Sequence, residues 1–353
     1  MRVGLSLLTL VPGISGGSET YVRELARALA RIGAHEYIAL VPPLAPDAGG
    51  GLPTVVADDY PSATTTLGRL RAMGSSSLRP RHLQSLMEGV EVDVVHYPLT
   101  VPVPRPALPH VTTLLDVQHL DMPDLFTRGE RLFRRFAYDR AARRATEVIV
   151  ISEFVRERVV ERLRLDPEHV HAVWLGVDHA RFTPAPEVPR EPLLLYPARP
   201  WPHKNHARLL EAFAEIRRRR PELRLLLTGV GHDPRTLPDG VDARTVTGDE
   251  LVELYRRAAC LVFPSLYEGF GLPPVEAMAC GCPVAAARAG SLPEVCGDAA
   301  VLFDPLSPQA IADGVDEALE RSEDLTERGL ARSAMFTWDE TARAHDRIYS
   351  GFS

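Results

Sequence analysis

Short apolar runs of strand length alternate with amphipathic stretches of helix length along most of the chain. The pattern occurs twice, on either side of Thr183-Pro-Ala-Pro-Glu-Val-Pro-Arg-Glu-Pro192. Strands separated by whole helices impose right-handed βαβ crossovers and parallel sheets. Four prolines in ten residues fit neither a helix nor a central strand, since each fixes φ and lacks a backbone donor. That segment therefore reads as a linker. The expected class is α/β, with Rossmann-like domains over 1–182 and 193–335, a linker at 183–192, and two parallel sheets facing a central cleft. A length of 353 residues suits two such domains. Ligands of open α/β sheets bind beyond the carboxyl ends of the strands, so the chemistry belongs in the loops there.

In the first half, strands are expected at Val3–Leu10, Tyr37–Val41, Val92–His96, Val111–Leu115 and Val148–Ile151. Ser18 is the expected cap of a helix burying Tyr21, Val22, Leu25, Ala26 and Leu29, and Ser152 the cap of a helix running to Leu163. The run Val3–Val11 behind Met1-Arg2 is followed by Pro12 and no small-residue cleavage site, so it reads as a first strand rather than a signal peptide. In the second half, strands are expected at Leu193–Tyr196, Leu223–Leu227, Cys260–Phe263 and Pro283–Ala286. Helices are expected at Ala207–Arg219, Asp249–Ala258 and Pro274–Ala279.

Charge narrows the partners. Net charge is −7, which argues against nucleic acid. Residues 1–190 carry 22 Arg against 22 acids, while residues 191–353 carry 18 basic and 25 acidic residues. Of the 40 basic residues, 39 are Arg and one is Lys204. Cys260, Cys280, Cys282 and Cys296 have no metal or redox spacing and read as small hydrophobes of a reducing compartment. No metal site is expected.

Three groups follow predicted strands. In Pro12-Gly-Ile-Ser-Gly-Gly-Ser18, the adjacent Gly16 and Gly17 permit close backbone approach to an anion at a helix N-terminus. Alone, the same residues describe a plain turn equally well. Tyr196-Pro-Ala-Arg-Pro-Trp-Pro-His-Lys-Asn-His206 offers the Arg199 fork and the Lys204 point charge on a stiff loop, an arrangement suited to a diphosphate. In the third, Glu268 lies in a loop and Glu276 in the first turn of a helix opened by Pro273-Pro274. Backbone amides around Phe270, Gly271 and Leu272 can receive phosphate oxygens, and the carboxylates suit sugar or ribose hydroxyls.

With these residues in view, the chain resembles the retaining glycosyltransferases of family 4, which have the GT-B fold. The resemblance rests on the Arg199…Lys204 loop, the two glutamates separated by seven residues with Gly-Phe-Gly-Leu-Pro between them, and Ser291-Leu-Pro-Glu-Val295. It extends more loosely to Gly16-Gly17, Ser152 and Gly176-Val-Asp178. The Tyr196–His206 stretch looks most like bacterial mannosyltransferases that build polysaccharides. The resemblance implies that Arg199 and Lys204 bind the donor diphosphate and that Glu276 takes the ribose. Glu268 would face the donor sugar, and Gly17 would let the first domain close on the phosphates. It also implies that 1–182 binds the acceptor and 193–335 the nucleotide sugar, that no metal is needed, and that 336–353 forms a helix returning to the first domain.

One departure stands out. Many relatives carry His-Asp at the end of a first-domain strand, whereas here Leu115 precedes Asp116 and a histidine follows only at His119. Asp116 and His119 are catalytic candidates, with packing or capping an equal reading for His119. Phe126–Arg144 holds seven Arg against Glu130 and Asp139, with Leu132, Phe133, Phe136 and Ala137 on one helical face. That face is expected to meet the core, with a basic side suited to anionic lipid.

The expectation is a cytoplasmic, metal-independent retaining hexosyltransferase, peripheral at the inner face of a membrane through Phe126–Arg144. It would need no cofactor beyond a nucleotide-sugar substrate. GDP-mannose is the leading donor and a UDP- or dTDP-hexose the second; the acceptor is a saccharide, lipid-linked or small molecule. Rival readings are a nucleotide-sugar epimerase or hydrolase on the same scaffold, or a non-catalytic nucleotide-sugar-binding subunit.

Overall fold

The computed structural model of the chain describes residues 1–13, 16–58, 60, 89–104 and 108–352. Ile14 and Ser15 of the first glycine loop and residues 105–107 lie outside these. Met1–Gly176 with Trp338–Ser353 forms one compact unit, and Val177–Thr337 forms the other.

The first unit carries β1 (Arg2–Ser6), β2 (Glu36–Val41), β3 (Thr54–Val56), β4 (Val94–Tyr97), β5 (His110–Thr113), β6 (Glu147–Val150) and β7 (Val170–Ala172). They form a parallel sheet in the order β3-β2-β1-β4-β5-β6-β7. Helix α1 (Gly17–Ile32) buries Tyr21, Val22, Leu25, Ala26 and Leu29. Its N-cap is Gly16 rather than Ser18, at φ 53° and ψ −128°, with no side-chain cap. That backbone conformation is open to glycine and strained for a residue with a Cβ, which decides the cap position.

The arginine-rich segment forms α2 (Arg128–Arg134), capped by reciprocal bonds between Thr127 and Glu130, and continues as a π-helical turn over Arg135–Asp139. The expected core-facing stripe is not formed: Leu132 is 57% and Phe136 62% exposed. The wider π turn adds a residue per bond and rotates the face that follows it. Phe133 instead meets Tyr138 five residues on, at 6.0 Å between ring centres. Helix α3 (Glu153–Leu163) begins where Ser152 Oγ accepts from Val155 N at 3.1 Å.

The second unit carries β8 (Glu191–Pro197), α4 (His206–Arg219), β9 (Arg224–Thr228), β10 (Val241–Arg244), α5 (Gly248–Arg257), β11 (Ala258–Phe263), α6 (Leu272–Ala279), β12 (Val284–Ala287) and β13 (Val301–Phe303). The strands run parallel in the order β10-β9-β8-β11-β12-β13. The order reverses between β8 and β11, the kind of switch point at which open α/β sheets hold ligands. All four cysteines are buried free thiols in this unit. The proline-rich 183–192 segment belongs to it as well: Arg256 Nε donates to Thr183 O at 2.9 Å, and β8 already starts at Glu191. The chain passes between units at Gly176/Val177 and Thr337/Trp338 instead of through those prolines.

The last helix, Trp338–Ser350, completes the first unit. Its His345 and Tyr349 enter a buried chain of hydrogen bonds whose direction is fixed by one acceptor-only group. His345 Nδ1 donates to Thr341 O (2.7 Å), so Nε2 must accept from Tyr21 OH (2.9 Å). Tyr21 OH in turn accepts from Thr113 Oγ1 (2.9 Å), which accepts from His96 Nε2 (2.8 Å), and His96 Nδ1 accepts from Tyr349 OH (2.7 Å). Burial pushes His345 down to about 4 and His96 well below its usual range, so both rings are neutral.

Candidate functional site in the second unit

The candidate site lies on the loops flanking the switch point. After β8, the backbone turns through Ala198–Trp201 into a short 3-10 turn at Pro202–Lys204, and Asn205 at φ 62° redirects it into α4. Asparagine tolerates that left-handed conformation. The Asn205 amide donates to Pro264 O (3.1 Å) and Pro305 O (2.8 Å), and Tyr196 OH donates to Lys204 O (2.6 Å). Leu266 N donates to His203 O (2.8 Å). These bonds tie the loop after β8 to the loops after β11 and β13. Within this frame Lys204 Nζ lies 2.6 Å from Glu268 Oε1, with both side chains largely buried. The Arg199 guanidinium stands beside the Trp201 ring, 5.8 Å from its centre.

The Glu268 loop is held from behind by the exit of β12. Ser291 Oγ donates to Glu268 O (3.1 Å) and Phe270 O (2.8 Å). Gly290, at φ +60°, brings its backbone so close that a Cβ there would sit 2.7 Å from Glu268 N. Gly271, at φ +97°, is the N-cap of α6, and Phe270 is buried against Phe336. Pro273 and Pro274 occupy the second and third helical positions and have no N–H. The donors that this helix start can offer an anion are therefore those of Phe270, Gly271 and Leu272. One turn on, Glu276 Oε2 accepts from Tyr255 OH at 3.0 Å. Burial raises the Glu276 carboxyl to about 7, against the lowering effects of the Tyr255 bond and Arg181.

Of the residues expected in this unit, Lys204 and Glu268 meet directly, while Arg199, Phe270, Gly271, Leu272 and Glu276 lie on the loops and helix start around β8 and β11. Sequence reasoning missed Tyr196, Asn205 and Tyr255. Asn205 was legible, since an asparagine directly before a helical pattern suggests a left-handed turn or cap.

The first-unit candidates stand differently. Gly16 and Gly17 open α1, after the C-terminal end of β1. Asp116 Oδ1 accepts from Gln118 N (3.0 Å) and from Arg134 Nη1 (3.3 Å), and remains partly exposed. His119 does not reach a solvent-facing position: its ring is buried, and Nε2 bonds Asp139 Oδ1 at 2.9 Å. In this structure His119 packs and serves as the polar partner that a buried aspartate needs. Among the described residues, no group of three His, Cys, Asp or Glu side chains is placed to hold a metal ion, and no helix is long and apolar enough to cross a membrane.

Comparison with known proteins agrees across both units. A family model described as Glycosyltransferase Family 4 matches residues 15–181, and one described as Glycosyl transferases group 1 matches residues 181–331. The chain is 30% identical to an O-antigen chain mannosyltransferase B of Escherichia coli, over 66% of this chain and 69% of that one. It is 30% identical to a D-inositol 3-phosphate glycosyltransferase of Catenulispora acidiphila, over 96% of this chain and 90% of the relative. Two further curated relatives are matched over 46% and 55% of their lengths. A sucrose-phosphate synthase structure from Thermosynechococcus elongatus aligns with a TM-score of 0.80 at 22% identity, covering 99% of this chain and 98% of that one.

Proposed function

Because the chain belongs to the family 4 glycosyltransferases and has their GT-B fold, we propose that it is a metal-independent retaining hexosyltransferase. It would carry mannose from GDP-mannose to a saccharide or lipid-linked acceptor, with a UDP- or dTDP-hexose as the second choice of donor. The observation that carries this reading is the buried Lys204–Glu268 pair at the switch point, 2.6 Å apart. It joins the group suited to a diphosphate to the group suited to a sugar hydroxyl. The mannose assignment draws on the E. coli relative's name and on the look of the Tyr196–His206 loop.

In this mechanism Arg199 and Lys204 hold the diphosphate, with the amides of Phe270–Leu272 beside them. Two fixed cations and oriented N–H dipoles supply counter-charge where the leaving group gains it, which is the role a metal plays in other transferases. Glu276 holds the ribose hydroxyls and Glu268 orients the donor sugar. Retention follows a front-face path: the sugar–phosphate bond breaks, the acceptor oxygen bonds to the same face, and its proton passes to the departing phosphate. Gly17 and Asp116 would serve the donor from the first unit.

The partner at the first unit's surface would be an anionic membrane. Exposed Leu132 and Phe136 alternate with arginines there, which supports an apolar anchor set in a basic field.

A thermal-shift panel of GDP-, UDP- and dTDP-hexoses tests the donor. Stabilisation by GDP-mannose above the others is expected, and no stabilisation by any of them removes the transferase reading. Sugar release to water without an acceptor, or interconversion of the donor, would favour the hydrolase or epimerase alternatives.

A further inference from the structure

We infer that Tyr255 is a positioning residue that presents the Glu276 carboxylate to the two hydroxyls of a ribose, an inference that rests on the transferase reading above. Its hydroxyl donates to Glu276 Oε2 at 3.0 Å, reaching from α5 to α6. The Tyr255 side chain is fully buried, with its ring centre 6.2 Å from that of Phe182. Among the described residues, Glu276 is the hydrogen-bond partner of this hydroxyl. A buried phenol is costly unless its oxygen is bonded, and phenylalanine would fill the same space without that cost. Packing alone therefore does not account for the hydroxyl.

The donor is fixed while the acceptor stays open. Helix α5 starts at reciprocal bonds between Thr247 and Glu250, and near its end Arg256 Nε donates to Thr183 O at 2.9 Å. Tyr255 is thus set between two anchors of its own helix. Glu276, unlike Tyr255, is partly exposed, and its Oε1 makes no hydrogen bond among the described residues. An ionised carboxylate has about four acceptor positions, two on each oxygen. The bond to Tyr255 takes one of them and leaves Oε1 and a second position on Oε2, which suits the neighbouring hydroxyls of a vicinal diol. Without that bond the carboxylate is free to turn about its last torsion, and the ligand must order it on binding.

The same bond acts on charge. Burial raises the Glu276 carboxyl, and the Tyr255 bond and Arg181 pull it back down, because both favour the ionised form. Burial also pushes the Tyr255 phenol well above its usual range, so it remains a donor at neutral pH. The thiols of Cys280 and Cys282 beside this pair are pushed up to about 12 and about 11, and stay neutral. Glu253 and Arg256 of α5 lie near Cys280 and pair with each other at 2.6 Å. A plain tie between α5 and α6 is the competing role for Tyr255, and it would hold the helices without touching nucleotide chemistry.

Tyr255→Phe removes one oxygen and keeps the ring, and water can reach the partly exposed Glu276 in its place, so the variant is expected to fold. Calorimetry of the full chain at pH 8 should show GDP bound about tenfold more weakly by Tyr255→Phe, the scale of one lost bond to a charged group. Binding of 2′,3′-dideoxy-GDP, which lacks the diol, should differ between the two proteins by less than about twofold. Equal losses for both ligands would make Tyr255 a helix tie and overturn the inference. In a Glu276→Gln background, Tyr255→Phe should weaken GDP binding little further, since its effect passes through the carboxylate. A full tenfold loss there would also overturn it. The pH below which GDP affinity falls should move upward in Tyr255→Phe, because a bond favouring the ionised carboxyl is gone, and an unmoved profile counts against the inference. If UDP is the nucleotide that binds, UDP and 2′,3′-dideoxy-UDP replace the GDP pair. The transferase reading is judged on the unaltered protein alone: if neither GDP nor UDP binds, that reading fails and takes the inference with it. If either binds and Tyr255→Phe leaves its affinity unchanged, the inference alone fails.

Discussion

Lys204 Nζ lies 2.6 Å from Glu268 Oε1 in a largely buried pair formed across 64 positions of sequence. The only lysine of the chain is thus held by the carboxylate assigned to the donor sugar. A diphosphate bound at Lys204, as proposed, would compete with Glu268 for the same ammonium and so link donor binding to release of the carboxylate.

Lys204→Ala should lower turnover by about 30- to 1,000-fold, the scale of one lost charge-assisted contact to a leaving diphosphate. It also strands Glu268 without its ammonium. The double variant Lys204→Ala/Glu268→Gln should therefore lose less than the sum of the single losses. Lys204→Arg should rescue incompletely, because a planar fork cannot occupy a point-charge position. Steady-state kinetics with saturating donor decides, and near-normal turnover in Lys204→Ala would end the diphosphate assignment.

The two glutamates should fail differently. Glu276→Gln should chiefly weaken nucleotide binding, a contact kept in ground and transition states alike, and Glu268→Gln should chiefly depress turnover. Because burial raises Glu276 to about 7, nucleotide affinity should decline as pH falls from 8 to 6, and Glu276→Gln should flatten that decline. Calorimetry across this range checks both statements; equal losses of nucleotide affinity in the two variants would refute the division.

His119→Ala should act on stability rather than on chemistry. It leaves Asp139 buried without its partner, an effect worth several kcal/mol in comparable cases. Thermal unfolding should move to lower temperature, while turnover per folded molecule changes little. A large loss of turnover in a protein that melts normally would return His119 to the catalytic set.

Acid should destabilise the first unit through its buried histidines. His345 is held at about 4 when folded against 6.5 in its ordinary state, so the unfolded chain takes up the proton first. Its contribution is intact above pH 6.5 and is lost as pH falls toward 4, and His96 shifts in the same direction. Glu276 acts in the opposite sense between 7 and 4.5, since its raised value makes folding take up a proton. Because His206 of the second unit is also held at about 4, denaturant unfolding in a Glu276→Gln/His206→Gln background isolates the first unit's histidine effect, and a flat stability profile from pH 6.5 to 4 there would contradict it.

The product should retain the donor's α configuration, and activity should persist in excess EDTA. The first follows from attack on the face that the phosphate leaves. The second follows from counter-charge supplied by Arg199, Lys204 and the helix-start amides. NMR of the anomeric centre and an EDTA–Mn²⁺ series test the pair, and a β-linked product or metal-dependent rescue would overturn the mechanism.

The central strands were legible because β1, β8, β11 and β12 are dense apolar runs bounded by turns, as buried parallel strands are. Edge strands were not: β3, β7 and β13 have three residues each, too few to show a period. The site residues could be picked out by type and spacing, but their pairing could not, since Lys204 meets Glu268 only through the fold of two loops. The exposed face of Phe136 escaped notice because it lies in a π turn, which breaks the 3.6-residue rule used to orient it, whereas Leu132 precedes that turn. The prolines of 183–192 marked a real break in secondary structure, yet the crossing between units lies before them, at Gly176/Val177.

His345 and Tyr349, near the very end of the chain, close the hydrogen-bond path that begins at His96 and Tyr21 in the first unit. Order of synthesis thereby acquires a role. Val177–Thr337 is complete in sequence once Thr337 has left the ribosome, whereas the unit begun at Met1 still lacks part of its interior until Tyr349 emerges. The half made first is the half finished last, and during that interval Tyr21, His96 and Thr113 wait for partners that have yet to be translated.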